Sequence, residues 1–283
     1  MERLSYINAL KRAFLMLEKQ HQDQDSARYL LLELTGWNWT QFSLHQKDLM
    51  PTTLQKVYQQ DIDLVAAGWP AQYVLGYAWF YGRKFKVSSD TLIPRQDSEA
   101  MIAQILQDNP TAVDLLELGT GSGALVITLG LEGNYQNLTA TDISPAAVKI
   151  ARQNSHQYHL PIKFVIGDLF QPVRGQQFDL IVFNPPYIAT SEIELMDSSV
   201  VNFEPHQALF ASESGLVFYR RVFSQIEQFL KPQGKIYLEF GFQQQEKISR
   251  IFQGQLPNWQ IDFFHDVANH PRFLRLQRKE VKK

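Results

Sequence analysis

The most specific group of residues in the sequence is Asn184-Pro185-Pro186-Tyr187, which follows the apolar run 178–183. Proline has a fixed φ and no backbone N–H, so this turn presents stiff, outward-facing carbonyl groups. The side-chain oxygen of Asn184 and the main-chain carbonyl of Pro185 can each accept one hydrogen of a planar NH2 group. Tyr187 offers an aromatic face against which a flat group can stack. The turn therefore predicts a site that holds an sp2 amine.

Holding such an amine favours transfer of a group to its nitrogen. The nitrogen of an amide or of adenine is a poor nucleophile because its lone pair is delocalised, and two acceptors polarise its N–H bonds while a new bond forms. Orientation then supplies in-line transfer without a strong base. Asn184, Pro185 and Tyr187 are the candidate catalytic residues, and the whole turn is the candidate substrate-binding site. Adenine, cytosine and protein glutamine all carry a suitable NH2 group, so the turn alone leaves the substrate open.

A glycine-rich loop comes earlier in the chain, between an apolar run and a helical stretch: Gly119-Thr120-Gly121-Ser122-Gly123. A strand that turns sharply into a helix needs residues without Cβ, and the helix N-terminus then offers N–H groups to a ligand. A dinucleotide site and a purely structural turn are the alternatives. The spacing is G-x-G-x-G rather than G-x-G-x-x-G, and Glu117 precedes the first glycine by two residues. A carboxylate there suits an ammonium group and would repel a pyrophosphate.

Acidic residues follow the next two predicted strands. Asp142 can accept both hydroxyls of a ribose, although a helix-capping role is the alternative, and Ser144-Pro145 is expected to begin the next helix. Asp168 can accept the exocyclic amine of adenine while Leu169 packs on the ring. Together these groups predict a nucleoside with a cationic amino-acid arm, which describes S-adenosyl-L-methionine as co-substrate. The candidate cofactor-binding residues are Glu117, Gly119, Thr120, Gly121, Ser122, Gly123, Asp142, Asp168 and Leu169.

After residue 97 the elements that position these groups alternate between strand and helix. Predicted strands are 112–118, 138–143, 162–166, 178–183 and 235–240, with later runs 259–264 and 272–277 as an antiparallel pair. Predicted helices are 99–107, 123–131, 145–156 and 215–230. Such alternation is typical of a doubly wound, mostly parallel sheet. The fold class predicted is therefore α/β, with a Rossmann-like seven-stranded domain.

The chain before this domain has a different pattern. Apolar residues at helical spacing run from Leu4 to Leu17, from Ala27 to Leu34 and from Leu54 to Val65, and Gly36 marks a helix stop. The stretch 73–93 is rich in aromatic and β-branched residues with interspersed glycines, which predicts a hairpin. We therefore expect an all-α domain at 1–72, a hairpin linker at 73–93 and a methyltransferase domain at 94–283.

Composition restricts the classes of protein. The sequence has no cysteine, which excludes disulfides, cysteine–zinc sites and thiol nucleophiles. Its seven histidines are scattered without a carboxylate cluster, so no metal site is predicted. The 27 basic and 29 acidic residues give a net charge of −2, which argues against binding by neutralisation of many phosphates. No apolar run reaches about 18 residues, so we expect a soluble, cytoplasmic protein that does not bind membranes. We also expect a monomer.

Over nearly its whole length the chain resembles the bacterial release-factor glutamine methyltransferases of the protein N(5)-glutamine methyltransferase group. Residues 92–99, Leu-Ile-Pro-Arg-Gln-Asp-Ser-Glu, resemble the family signature Ile-Pro-Arg-Pro-Glu-Thr-Glu. The other matching blocks are Gln72 to Gly76 with Phe80, Gly82 and Phe85 to Val87; the glycine loop; Asp142; Asn184 to Tyr187; Phe203 to Pro205 with Ala208 and Leu209; and Leu238 to Gly241.

This resemblance implies a helical N-terminal domain for substrate docking and a Rossmann-like catalytic domain. It implies that Asn184 contacts the cofactor, together with Gly119 to Gly123, Asp142 and Leu169. It also implies that the acceptor is the glutamine of the Gly-Gly-Gln loop in class 1 peptide-chain release factors. Two residues depart from the family pattern. Gln96 stands where the family usually has a proline, and we expect it to loosen the loop that leads to the active site. Leu169 stands where the family often has an aromatic residue, and we expect it to weaken stacking on adenine. Neither departure removes a group that the chemistry needs.

Three other functions are compatible with these residues. The first is N6-adenine methylation of nucleic acid, which the near-neutral charge disfavours. The second is methylation of a glutamine in a ribosomal protein. The third is a non-catalytic protein that binds S-adenosyl-L-methionine and docks a translation partner. The sequence favours methyl transfer to a release factor over these alternatives.

Overall fold

The structure is a computed structural model and describes residues 3–109, 111 and 114–279. The described chain forms two compact units. The first contains the chain up to Gly76 together with Asp197–Phe203, a short segment from the second half of the sequence. The second contains Tyr77–Met196 and the chain from Glu204 onward.

The first unit is helical. Its consecutive helices are α1 Tyr6–Lys19, α2 Asp25–Thr35, α3 Trp39–His45, α4 Thr52–Ala66 and α5 Ala71–Leu75, and a further helix spans Ser198–Phe203. The three apolar stripes became α1, α2 and α4, and α2 ends at Gly36 with φ +67°, as predicted. The sequence reasoning missed α3. Its signal was a capping box, in which Asn38 and Gln41 exchange side-chain to backbone hydrogen bonds of 2.9 Å.

The predicted hairpin exists but begins later than expected. Strands β1, Tyr77–Phe80, and β2, Arg83–Lys86, pair antiparallel. The prediction of extended backbone over 73–76 was wrong, because these residues follow Pro70 into α5 and Gly76 ends that helix with φ +75°. The last pair of the hairpin register joins Phe80 to Arg83. A glycine in the left-handed conformation is a common helix terminator, and here it separates helix from hairpin.

The second unit continues with alternating helices and strands. In chain order they are α6 Asp97–Asp108, β3 Asp114–Leu118, α7 Ala124–Glu132, β4 Asn137–Asp142, α8 Pro145–Gln157, β5 Lys163–Ile166 and β6 Phe178–Phe183. The Ser198–Phe203 helix is α9. After it come α10 His206–Leu209, α11 Ser212–Gly215, α12 Val217–Phe223, α13 Ile226–Phe229, β7 Leu230–Glu239, α14 Gln245–Gln255, β8 Trp259–His265 and β9 Pro271–Arg278. Short 3-10 helices span Gln171–Val173 and Thr190–Leu195.

The seven strands from β3 to β9 form one sheet in the order β5-β4-β3-β6-β7-β9-β8. The first five run parallel, and β9 lies antiparallel between β7 and β8. The predicted α/β Rossmann-like fold is thereby confirmed. The chain winds outward from β3 to β5 and then returns to place β6 on the other side of β3. Ligands in such sheets bind at the carboxyl ends of strands around this reversal.

The central strands are apolar on both faces, and helices cover both faces of the sheet, so these strands are buried on both sides. One apolar core contains Leu116, Ile181 and Tyr219, and the other contains Leu115, Val126 and Leu180. Neighbouring residues of β3 and β6 thus alternate between the two cores, as expected for a strand with period two. This packing holds the strand ends, and the loops that follow them, in fixed positions.

The later helices differ from the prediction. The expected helix 215–230 is divided into α12 and α13, and β7 begins at Leu230. Upstream, Glu213 and Ser214 have φ values of +55° and +56°, which interrupts helical geometry between α10 and α12. The helix α14 was not predicted. Residues 112–113 of the predicted first strand lie outside the described residues.

In the part of the chain that the structure describes, no helix is long and apolar enough to span a bilayer.

Candidate active site

A cavity of about 310 Å3 lies at the carboxyl ends of β3, β4 and β6 in the second unit. Most of the residues predicted to bind cofactor or substrate line it. They are Glu117, Gly119, Thr120, Gly121, Ser122, Asp142, Asp168, Leu169, Asn184 and Pro186. Gly123, Pro185 and Tyr187 are placed next to these residues in the chain but are not part of the lining. The sheet therefore brings the two predicted groups, the nucleoside-binding residues and the turn, to one space.

The glycine loop connects β3 to α7 as predicted. Gly119 has φ +60°, and a Cβ there would lie 3.0 Å from the Phe183 ring. Gly123 has φ +82°, and a Cβ there would lie 3.2 Å from the Ala151 Cβ. Larger residues would push the loop away from β6 and α8. The loop is held from α8 by Asn154, whose Nδ2 donates to the Ser122 carbonyl at 2.8 Å.

Asn154 also binds the hairpin. Its Oδ1 accepts from the Lys86 N–H at 2.8 Å, and its Nδ2 donates to the Lys86 carbonyl at 3.0 Å. Asn154 is fully buried. One side chain thus joins β2, α8 and the glycine loop through three hydrogen bonds, and a buried amide with all these partners is a strong local constraint.

Glu117 is a buried carboxylate in the cavity wall, 1% exposed. Its Oε2 accepts a hydrogen bond from the Thr120 hydroxyl, and the Val126 N–H of the first turn of α7 also donates to it. Burial raises the pKa of Glu117 to about 8, against these hydrogen bonds, and nearby Asp142 adds to the rise. Burial disfavours the ionised form unless a cation is present, so this wall favours a positively charged ligand group.

Asp142 ends β4, and both of its carboxylate oxygens are held by the backbone. Oδ2 accepts from the Gly121 N–H and Oδ1 from the Ser144 N–H, each at 2.8 Å. Burial raises the pKa of Asp142, although these backbone hydrogen bonds oppose the rise. Each carboxylate oxygen can accept a further hydrogen bond, so capping and ribose binding are compatible here. The Ser144 hydroxyl accepts from the Ala147 N–H at 3.2 Å, which confirms the predicted start of α8.

The third acidic residue has a partner that the sequence did not suggest. Asp168 Oδ2 accepts from Arg221 Nη2 of α12 at 2.5 Å, and the Arg221 guanidinium lies 5.6 Å from the centre of the Phe218 ring. Leu169 has φ +48°, a conformation that is uncommon for a leucine, and its carbonyl accepts from the Thr141 hydroxyl at 3.2 Å. Phe218 and Arg221 also line the cavity. The part of the cavity wall next to Leu169 is therefore an apolar surface bordered by the ion pair between Asp168 and Arg221.

The predicted catalytic turn leaves the end of β6 at the cavity wall. Asn184 and Pro186 line the cavity, whereas Pro185 is buried. Asn184 Nδ2 donates to the Ser98 hydroxyl at 3.4 Å, which leaves its Oδ1 as the acceptor available to a ligand. The Tyr187 hydroxyl donates to Glu239 Oε1 at 3.3 Å.

Two residues outside the predicted site hold the backbone of this turn. Gln244 Nε2 donates to the Tyr187 carbonyl at 2.7 Å, and a Cβ on Gly215 would lie only 2.0 Å from that carbonyl oxygen. Gly215 has φ +81°, so glycine is required both by conformation and by space. The turn is thus fixed by residues up to 57 positions away in the sequence.

Arg95, which also lines the cavity, forms an ion pair with Glu204. Arg95 Nη2 donates to Glu204 Oε1 at 2.6 Å, and the Ile93 N–H donates to Glu204 Oε2 at 3.1 Å. Glu204 is 3% exposed. This pair connects the loop before α6 with the chain that follows α9.

Several site residues were missed by sequence reasoning. Glu239 and Ser98 had a usable signal, because Glu239 lies one residue before the end of the predicted strand 235–240, and Ser98 directly precedes the predicted helix 99–107. Gln244, Gly215 and Arg221 had none, since their roles depend on contacts between distant segments. Among the residues that the structure describes, no cluster of histidine and carboxylate side chains has an arrangement suited to a metal ion.

The sequence and the fold are similar to those of known proteins. Residues 8–76 match the family described as PrmC N-terminal domain, and residues 96–203 match the family described as Methyltransferase small domain. A curated protein named release factor glutamine methyltransferase from Enterococcus faecalis is 36% identical over 94% of this chain and 97% of its own length. A protein of the same name from Staphylococcus aureus is 33% identical over 96% of this chain and 98% of its own length. A methyltransferase structure from Pyrococcus furiosus shares the fold, with a TM-score of 0.53 and 16% identity over 80% of this chain and 98% of that one.

Proposed function

This chain belongs to the release factor glutamine methyltransferase family, and from that membership we propose that it transfers a methyl group from S-adenosyl-L-methionine to a glutamine side-chain nitrogen in a peptide-chain release factor. The acceptor in this proposal is the glutamine of the Gly-Gly-Gln loop of class 1 release factors. One observation carries the proposal: Asn184 and Pro186 line the same cavity as Glu117 and the glycine loop. A turn suited to a carboxamide and a set of nucleoside-binding groups therefore face a single space.

The cavity residues fit the methyl donor. S-adenosyl-L-methionine, when bound, supplies an electrophilic methyl group and carries an ammonium group on its amino-acid arm. Glu117, buried in the wall with only a hydroxyl and an N–H as partners, attracts that ammonium. Asp142 accepts from ribose hydroxyls, and Leu169 provides apolar contact for adenine. The cavity volume lies within the range of roughly 300–1,000 Å3 that small-ligand sites occupy.

The turn residues orient the acceptor. Asn184 Oδ1 and the Pro185 carbonyl accept the two hydrogens of the glutamine NH2 group, which directs the nitrogen toward the donor. These acceptors stabilise the positive charge that develops on the nitrogen during transfer. Tyr187 remains our candidate for the ring face against which the carboxamide stacks. As the new N–C bond forms, the S–CH3 bond of the sulfonium breaks and leaves a neutral thioether. The nitrogen then releases one proton to water, so no strong base is required.

The release factor also needs a docking surface on this protein. We assign docking of the release factor to the helical first unit, whose sequence matches the N-terminal family of this group. We further propose that the reaction takes place in the cytoplasm, where translation occurs, and that a monomer performs it.

Methyl transfer to purified substrates tests the function. The protein is incubated with methyl-labelled S-adenosyl-L-methionine and a class 1 release factor, and the modified residue is mapped by mass spectrometry. We expect one methyl group on the glutamine of the Gly-Gly-Gln loop. The matched control is the same release factor with that glutamine replaced by alanine, which should gain no label. Labelling of DNA, RNA or a ribosomal protein in place of the release factor would refute the proposal.

A further inference from the structure

Behind the Asn184 turn lies a carboxylate that the proposed reaction does not use directly. Glu239 is at the carboxyl end of β7 and is 1% exposed. Its Oε2 accepts from the Ser98 hydroxyl at 2.5 Å, and its Oε1 accepts from the Tyr187 hydroxyl at 3.3 Å. The Ser98 oxygen in turn accepts from Asn184 Nδ2 at 3.4 Å. A chain of hydrogen bonds therefore connects Glu239 to two residues of the turn.

The ionisation state of Glu239 controls which directions are open to the hydrogen bonds that pass through Ser98. An ionised carboxylate can only accept, so the Ser98 hydroxyl must donate to it. The Ser98 oxygen then has only lone pairs left, which select the NH2 side of the Asn184 amide. The Asn184 oxygen is consequently the group that faces the cavity. A protonated Glu239 can donate to Ser98, and Ser98 can then donate to the Asn184 oxygen, which turns the NH2 group toward the substrate instead.

We infer that Glu239 is a positioning residue whose ionised carboxylate, acting through Ser98, makes Asn184 present its oxygen to the substrate amide. The inference rests on the proposed function, because only a substrate NH2 group needs an acceptor at that position. A reversed Asn184 would place its own NH2 group against the substrate NH2 group, and two donors cannot form a hydrogen bond. Glu239 also accepts from Tyr187, so both ends of the turn depend on the same carboxylate.

The surroundings of Glu239 place its titration near neutral pH. Burial raises the pKa of Glu239 to about 7, against the hydrogen bond from Ser98 and the attraction of Arg272 on β9, while Asp97 on α6 raises it further. Arg272 contacts other acids, Asp97 at 3.2 Å and Asp266 at 3.1 Å. Within the described residues, Glu239 has no ion-pair partner of its own. Its charge is therefore stabilised chiefly by hydroxyl groups.

Two tyrosines complete these surroundings. The Tyr187 hydroxyl from the turn faces the carboxylate, and burial, with the nearby Glu239 charge, raises the pKa of Tyr187 above its usual range. The Tyr219 hydroxyl from α12 donates at 2.8 Å to the main-chain carbonyl of Glu239 and not to its carboxylate. Burial likewise raises the pKa of Tyr219. Both hydroxyls stay protonated near neutral pH, so neither tyrosine adds a second change of charge beside Glu239.

The titration of Glu239 sets the direction in which kcat changes with pH. Above pH 7 the carboxylate is ionised and the Asn184 oxygen faces the substrate, so kcat is at its maximum. As the pH falls through about 7, kcat falls with the protonation of Glu239. Glutamine at this position can donate through its NH2 group at any pH, so Glu239→Gln imitates the protonated state. We expect this variant to show a low kcat, reduced at least ~10-fold at pH 8 by misorientation of the acceptor, without the decline below pH 7.

The test measures kcat from pH 6 to 8.5 at saturating S-adenosyl-L-methionine and release factor, together with KM for each substrate. Wild-type protein should show the decline, and Glu239→Gln should lose it with little change in KM for the methyl donor. Ser98→Ala removes the connecting hydroxyl while leaving the carboxylate, and it should also lose the decline. Tyr219→Phe is the matched control, because it removes a hydroxyl that contacts only the backbone of Glu239. It should keep the wild-type kcat and pH profile.

The outcomes separate this inference from the proposed function. If Glu239→Gln folds, as judged by circular dichroism, and retains the wild-type kcat and pH decline, the inference is overturned while methylation of the release factor stands. A decline that persists in both Glu239→Gln and Ser98→Ala likewise overturns it. If wild-type protein transfers no methyl group to the release factor at any pH, the proposed function itself fails, and the inference fails with it.

Discussion

Neutralisation of Glu117 provides the sharpest test of how the cavity binds its methyl donor. With a pKa of about 8, roughly one Glu117 side chain in eleven is ionised at pH 7, since each pH unit is a tenfold ratio. An ammonium group binds the ionised form, so a proton must leave Glu117 when the ligand binds. This requirement weakens binding at pH 7 by about 1.4 kcal/mol relative to a fully ionised site.

The raised pKa of Glu117 sets the direction in which the dissociation constant of the ligand changes with pH. Because the proton is held below pH 8, affinity increases with pH, and the dissociation constant should fall about tenfold between pH 6 and pH 7. The amino group of the ligand loses its own charge near pH 7.7–8.0, roughly the value of a free α-amino group, so measurements are confined to lower pH. Isothermal titration calorimetry in buffers of different ionisation enthalpy should detect release of about 0.9 proton per ligand at pH 7.

The variant Glu117→Gln keeps the size of the side chain and removes its titration, so its dissociation constant should not change between pH 6 and pH 7. Asp114→Asn is the matched control. Asp114 lies at the opposite end of β3, is paired with Lys231, and does not line the cavity. It should retain the wild-type pH dependence. A wild-type dissociation constant that is flat over this range, or the same slope in Glu117→Gln, would refute the reasoning.

Three further substitutions test the site. Asn184→Ala should leave the melting temperature within a few degrees of wild type and lower kcat at least ~100-fold, because the acceptor amide loses its orientation; near-normal methylation would remove Asn184 from its role. Asp142→Ala should weaken binding of S-adenosyl-L-methionine by ~1–3 kcal/mol in calorimetry, and an unchanged affinity would count against ribose binding. Gly215→Ala should lower the free energy of unfolding by ~1–3 kcal/mol more than Gly175→Ala, a glycine with a similar φ but open space around it, because only the first places a Cβ against the Tyr187 carbonyl. Equal losses in chemical denaturation would contradict the contact.

The fold was largely predictable because its signals are local. Buried parallel strands are continuous apolar runs, and the loop residues between them carry glycines and caps such as Ser144, whose hydrogen bond to Ala147 was anticipated. The failures occurred where local signals conflict with long-range contacts. The segment 73–75 has residues that suit a strand but forms a helix that ends at Gly76. The region 215–230 has helical periodicity, yet its helix divides and its last residue pairs with β6.

The site was predictable to the extent that it depends on residues adjacent to strand ends. Asn184 follows β6, Asp142 ends β4 and Glu117 is the last residue but one of β3, so topology alone brings them to one cavity. The ion pair between Asp168 and Arg221, and the hydrogen bond from Ser98 to Glu239, join segments 53 and 141 positions apart. No spacing rule links such residues in a single sequence. These contacts can be identified only from a three-dimensional structure that places the side chains.

The buried amide of Asn154 has a consequence for where this protein can be shortened. A chain that starts at residue 94, the sequence-based boundary, would lack Lys86 and leave two of the three hydrogen bonds of Asn154 without partners. The hydrogen bond to Ser122 would then be the only one by which Asn154 holds the glycine loop. A chain that starts at Tyr77 would keep the complete set. For any truncated enzyme, the hairpin strand from Arg83 to Lys86 is therefore to be retained, because it holds two of the partners of Asn154.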